Sequence, residues 1–309
     1  MKETSLFEPK KNLNLIGYKY NFNLLKNLIL TNKFPKIIML SGEKGIGKAT
    51  FISHLMHYYF DKLNYNENDN IIKNTSSFHR QFNENIFPNI SYLDSSNFKN
   101  INIDDIRKLK IDLSKTSINN DLRFIILDGV ENFNINSLNA LLKQIEEPSR
   151  NNYFILINNQ SKLLIKTIKS RCVELKIILN NENKKKIILY LAKKFNQNIN
   201  FNYDILPISP GNFLIFNNII NENNIEMNDP LLKNIKLITN LYKKEKNSFY
   251  KDLLLFITDY YFHKKRLDNP YQNENFFDKI LFLKNCINNF FLYNLNQNTF
   301  LNSIENKIK

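Results

Sequence analysis

Residues 41–50 read Ser41-Gly42-Glu43-Lys44-Gly45-Ile46-Gly47-Lys48-Ala49-Thr50. This is nearly the spacing G-x-x-x-x-G-K-[ST], in which backbone N–H groups of a glycine-rich turn form an anion nest and the lysine reaches the β- and γ-phosphates of a nucleotide. The start of the following helix adds its dipole. Gly42, Lys44, Gly45, Gly47 and Lys48 are therefore candidate phosphate-binding residues, with ATP as the candidate cofactor. Ala49 stands where a hydroxyl would hold Mg2+. Thr50 comes one residue late, about 100° further round a helix. Two alternatives stay open: a nucleotide site with impaired Mg2+ binding, or a tight strand-to-helix turn that holds no ligand.

Three more stretches carry candidate chemistry. Phe124-Ile-Ile-Leu-Asp128 is an apolar run ending in a carboxylate, where a second nucleotide motif places an Asp against Mg2+. ATPases that activate water usually carry an acidic residue directly after that Asp; here it is Gly129, and Glu131 lies two residues further on, in a different geometry. In Asn136–Ser149, Glu146 and Glu147 fall at a helix C-terminus, which the macrodipole disfavours by some tenths of a kcal/mol. Either solvent tolerates them or an interface uses them. In Thr167-Ile-Lys-Ser170-Arg171-Cys172, Arg171 precedes a strand, where an arginine alone reads as a solvated charge.

The elements that must position these residues follow from periodicity. Lys36–Ser41, Ile90–Leu93, Phe124–Asp128, Tyr153–Ile157 and Val173–Lys176 are short apolar runs, read as strands buried on both faces. Between them, Thr50–Tyr59, Ile103–Leu113 and Ser137–Glu147 read as helices. The last places Leu138, Leu141, Leu142 and Ile145 on one face and is stopped by Pro148. Residues 61–89 are polar and Asn-rich and read as a surface insertion, partly helical. The alternation predicts a five-stranded parallel α/β sheet over residues 1–176. From residue 177 the pattern is helical: Asn183–Phe195, a helix opened by Ser209-Pro210-Gly211, Lys251–His263 and Phe276–Tyr293. This divides the rest into a small helical domain at 177–226 and a second at 227–309, without internal repeats.

Composition bounds the partners. The chain has 309 residues and a net charge of +14. Such a charge points to nucleic acid, but abundant Asn, Lys, Ile, Phe and Tyr with few alanines is also what an AT-rich genome produces. No apolar run has the length of a membrane span, MKETSLFEPK carries no apolar signal segment, and two distant cysteines, Cys172 and Cys286, fit a reducing cytoplasm. No cysteine lies between residues 50 and 123, and His54, His57 and His79 are too few to hold zinc; His54 and His57 read as ordinary helix residues.

The four motif stretches occur together and in order in the clamp-loader branch of the AAA+ ATPases, which NALLKQIEEPS followed by TIKSRC resembles most specifically. Within it the chain resembles the delta-prime type of bacterial DNA polymerase III subunit, over nearly its full length. Leu15-Ile16-Gly17-Tyr18 looks like the opening segment of that group, and Tyr293-Asn-Leu-Asn296 a weak trailing match. The resemblance implies an AAA+ α/β domain, a helical lid and an all-α collar that assembles into a five-membered ring. It also implies partners: gamma/tau motor subunits, a delta subunit, a sliding clamp and primer–template DNA, in a bacterial replisome.

By the same resemblance Arg171 acts in trans as an arginine finger on a neighbour's ATP. Such groups are worth about 10³–10⁵ in rate. Asn158 or Asn159 matches a nucleotide-sensing position, or simply caps a strand end. Lys108 and Lys143 are candidate DNA contacts. Three departures separate the chain from a motor subunit: no hydroxyl after Lys48, no carboxylate after Asp128, and no arginine in Ser209-Pro210-Gly211-Asn212-Phe213-Leu214. The zinc module that many members carry is expected to be lost. The resemblance therefore implies a subunit that does not hydrolyse ATP itself. The alternatives are an active gamma/tau-type motor subunit and, from another class, a small-molecule P-loop kinase, which needs an arginine-rich lid that residues 177–226 do not offer.

Overall fold

The computed structural model of the chain describes residues 8–95, 101–114, 121–268 and 276–308. Residues 1–7, part of the segment read above for a signal, lie outside the described residues. In chain order the elements are α1 (Lys19–Leu30), β1 (Ile37–Ser41), α2 (Lys48–Phe60), β2 (Tyr65–Asn66), β3 (Ile71–Ile72), α3 (Ser77–Asn83), β4 (Ile90–Asp94), α4 (Ile103–Ser114), β5 (Arg123–Asp128), α5 (Ile135–Glu146), β6 (Asn152–Asn158), α6 (Lys166–Lys169), β7 (Val173–Lys176), α7 (Asn181–Lys194), α8 (Pro210–Glu222), α9 (Leu231–Glu245), α10 (Phe249–Asp268), α11 (Phe276–Leu292) and α12 (Gln297–Ile308).

Two compact units divide the chain: Met1–Ile187 with Ser209–Asn212, and Ile188–Ile208 with Phe213–Lys309. In the first, β4-β5-β6-β1-β7 form one sheet, and every pairing is parallel. The strands are runs of Ile, Leu and Phe because helices cover both faces; all five residues of β1 are buried. Helix α2 is buried on nearly all sides, from Lys48 through Tyr58, so it is the central helix of this unit. It starts two residues earlier than the sequence pattern indicated, directly at the motif lysine.

Residues 61–89 are a correction. Most of the stretch is exposed or half-buried and part of it is helix α3, but it is pinned to the core rather than simply lying on the surface: Tyr65, Ile72, Phe78 and Phe82 are buried. Tyr65 stacks on Phe22 of α1, and Phe78 stacks on Phe60 of α2. A few large aromatic anchors hold a chain that is polar elsewhere, which average polarity conceals.

Among the described residues the second unit contains helices and turns but no strand. Ile188, Phe213 and Phe216 share one buried cluster with Leu253, Ile257, Ile287 and Ile304. No helix among the described residues is long and apolar enough to cross a membrane.

Candidate functional site

The glycine loop leaves β1 at the carboxyl edge of the sheet, where open parallel sheets bind ligands. Close backbone approach dictates its shape. A Cβ on Gly42 would lie 2.4 Å from the carbonyl oxygen of Ile177. Gly45 has φ +80°, and a Cβ there would meet Ser209 Oγ at 2.6 Å. Both positions exclude a side chain. Residues 209–212 grip the loop tip: Ser209 Oγ donates to the Lys44 carbonyl at 2.7 Å and Gly211 N to the Gly45 carbonyl at 2.8 Å. Tyr18 donates to the Ile46 carbonyl. Gly47 immediately precedes α2 and Ala49 lies in its first turn.

Lys48 is turned onto its own loop. Its ammonium donates to the Gly42 carbonyl at 2.7 Å and to the Glu43 carbonyl at 2.8 Å. Burial lowers its pKa to about 8, against the opposing pull of Asp128, Glu131 and Glu43. Thr50 does not replace the missing hydroxyl. It is buried, and its Oγ1 donates to the Pro9 carbonyl at 2.9 Å. One residue of helix rotation past Ala49 aims this hydroxyl, a candidate nucleotide contact, at the N-terminal segment.

Asp128 stands at the end of β5, in register with Asp94 of β4. Its Oδ2 accepts a hydrogen bond from Tyr92 at 2.7 Å. Desolvation raises its pKa to about 6, with Asp94 adding to the rise and Tyr92 and Lys48 opposing it. Lys10 supplies positive charge nearby. Its ammonium lies 3.2 Å from the centre of the Tyr92 ring and donates to Asn85 Oδ1 at 2.9 Å. Burial brings Lys10 down to about 8 while Asp94 and Asp128 pull the other way. These residues fit Mg2+ poorly: there is no hydroxyl at position 49, and one oxygen of the Asp128 carboxylate is engaged by the Tyr92 hydroxyl, with the positive charges of Lys48 and Lys10 acting on it electrostatically.

Glu131 is buried and committed elsewhere, accepting from Asn159 N at 3.2 Å and Ser161 Oγ at 2.8 Å. Asn158 is buried; its Oδ1 accepts from Gln160 N at 2.9 Å, and its carbonyl accepts from Gly42 N at 3.2 Å. That side-chain oxygen caps the strand end. Lys108 on α4 and Lys143 on α5 are both exposed.

His57 and His79 are not free ligands. His57 Nδ1 lies 2.7 Å from the Ser53 carbonyl and Nε2 lies 3.1 Å from His79 Nδ1. Asn83 Nδ2 contacts His79 Nε2 at 3.0 Å. With each ring donating from Nδ1, the chain of bonds is satisfied by two neutral imidazoles. Burial lowers His57 to about 4, which agrees. Among the described residues no group of three His, Cys, Asp or Glu could hold a metal ion.

Arg171 follows the short α6. Its Nη1 donates to the Thr167 carbonyl at 2.8 Å, and its Nη2 pairs with Glu146 Oε1 at 2.7 Å. The sequence pattern singled out both residues but not their pairing. It also missed Lys10 and Tyr92, which belong to no motif; the single signal was Tyr92 alternating with Asp94 along one strand.

A family model described as DNA polymerase III, delta subunit, matches residues 18–181, more than half of the chain. The chain belongs to this DNA polymerase III subunit family. The match spans the glycine loop, Asp128 and Arg171. Within the family the chain is delta-prime-like: the DNA polymerase III subunit delta' of Pseudomonas aeruginosa is 40% identical over 76 residues, 25% of this chain and 23% of that protein. The DNA polymerase III subunit gamma of Buchnera aphidicola subsp. Schizaphis graminum is 24% identical over 193 residues, 62% of this chain and 52% of that protein. The chain thus spans between about a quarter and about half the length of these two relatives. A gamma subunit-related protein of Thermotoga maritima, known from a crystal structure, aligns with a TM-score of 0.51 at 16% identity, over 92% of this chain and 98% of that one. At that identity the likeness speaks for the fold alone, a parallel α/β sheet domain and a set of helices.

Proposed function

We propose that this chain is a clamp-loader subunit of the delta-prime type that completes a neighbouring motor subunit's ATP site and does not hydrolyse ATP itself. One observation carries the reading: the two basic groups are used oppositely. Lys48 is buried and spent on its own loop. Arg171 is half exposed, and its Nε–H has no partner among the described residues. In the assembled loader Arg171 stabilises negative charge developing on a γ-phosphate held by the adjacent chain. Residues 177–226 act as the lid and 227–309 as the collar. The partners are gamma/tau and delta subunits, the sliding clamp and primed DNA, at a cytoplasmic replisome.

Titration calorimetry of the isolated protein with ATP, with and without Mg2+, tests the local part of this reading. The expected result is that Mg2+ leaves any ATP affinity unchanged, since Ala49 and the Tyr92-bonded Asp128 offer the ion nothing. A tenfold tightening with Mg2+, about 1.4 kcal/mol, would contradict it.

A second reading, an active gamma/tau-type motor subunit, is favoured by the length of the gamma match, 62% of this chain. It requires ATP turnover by the isolated protein.

A further inference from the structure

Nothing in the local structure asks for a carboxylate at position 146. Glu146 occupies the last residue of α5, where the helix dipole works against negative charge. Yet its Oε1 lies 2.7 Å from Arg171 Nη2. Nη1 is held at the same time by the Thr167 carbonyl, 2.8 Å away, with Ser170 Oγ a longer contact at 3.4 Å. Two guanidinium nitrogens are therefore fixed from two elements, α5 and the α6 turn, while Nε–H has no partner among the described residues. Arg171 and Glu146 are 37% and 47% exposed, so the held group stays accessible.

We propose that Glu146 is a positioning residue for Arg171: it fixes the guanidinium so that its unpartnered edge is presented to an anion on another chain. This rests on the trans role proposed above for Arg171. An unrestrained arginine has large rotamer freedom to lose on docking, and its planar fork serves only when oriented. The Glu146 carboxylate removes part of that freedom beforehand and acts through Arg171. It also answers why Glu146 stands at a helix end that disfavours it.

The test uses the loader reconstituted with its motor subunits, clamp and primer–template DNA, and reads ATP hydrolysis with Glu146→Gln, Glu146→Asp and Arg171→Ala. Glu146→Gln should lower kcat about two- to fivefold, the range an exposed ion pair supplies, with KM for ATP unchanged because the interaction serves the transition state. Glu146→Asp, which keeps the charge, should recover at least half of the lost rate. Gel filtration must show each complex assembled. A Glu146→Gln loader with wild-type kcat, beside an Arg171→Ala loader that has collapsed, would overturn the positioning role and leave the trans role standing. A raised kcat would mean that Glu146 withholds the guanidinium, and would equally overturn it. An Arg171→Ala loader with wild-type kcat would remove both.

Discussion

Asp128 is held at a cost. Its carboxylate is desolvated beside the in-register Asp94, and its pKa rises to about 6 from an ordinary value near 3.8. A carboxyl whose folded pKa is raised adds stability below its unfolded pKa, and that stability is lost as pH rises through the folded value. Above pH 6 the folded state therefore carries an ionised group it disfavours. Asp128→Asn should stabilise the protein by about 1–3 kcal/mol at pH 8, the range that a net rise of this size implies, the attraction of Lys48 being already contained in it. The gain should vanish below pH 4; urea unfolding at the two pH values measures it, and a variant less stable than wild type at pH 8 would show that the lysines depend on this carboxylate. Residue by residue, Gly42, Gly45, Gly47 and Lys48 were legible because their spacing is fixed by one local turn. Lys10 and Tyr92 were not. They lie far apart in sequence and meet only because the N-terminal segment is tied to α2 through Thr50, Ser53 and His54.

The elements behave as the burial pattern dictates. Parallel strands covered on both faces leave continuous apolar runs, so the five sheet strands could be read to within a few residues. Residues 61–89 could not, because Tyr65, Ile72, Phe78 and Phe82 are sparse anchors in an Asn-rich stretch. The start of α2 was missed for a different reason: Lys48 and Ala49 look like loop until the motif lysine is seen turning back inside the first helical turn. At this scale the close approach of Gly42 to the Ile177 carbonyl, just past β7, is the sharpest constraint. Gly42→Ala must displace backbone, and should cost about 1–3 kcal/mol as overpacking does. Thermal unfolding checks this; an unchanged midpoint would mean that the loop and β7 can separate freely.

For the whole molecule, the net charge of +14 acquires a candidate use at Lys108 and Lys143. Both are exposed, and their helices α4 and α5 contribute to one core through Ile106, Leu109, Leu138 and Leu141. If they contact DNA backbone, binding of primer–template by the assembled loader should fall steeply with salt, and Lys143→Ala should reduce the slope of log K against log salt by about one. A slope unchanged by the substitution would assign the charge to composition alone. The helical half was legible as helices. Its sharing of one core across residues 188–304 was not, because contacts between distant helices leave no periodic trace.

The central claim is that this subunit serves another chain's ATP and leaves its own loop idle. ATP hydrolysis by the reconstituted loader, compared between Lys48→Ala and Arg171→Ala, tests it most directly. Lys48→Ala should leave turnover at the wild-type rate, and Arg171→Ala should make it collapse. Collapse with Lys48→Ala and wild-type turnover with Arg171→Ala would contradict it.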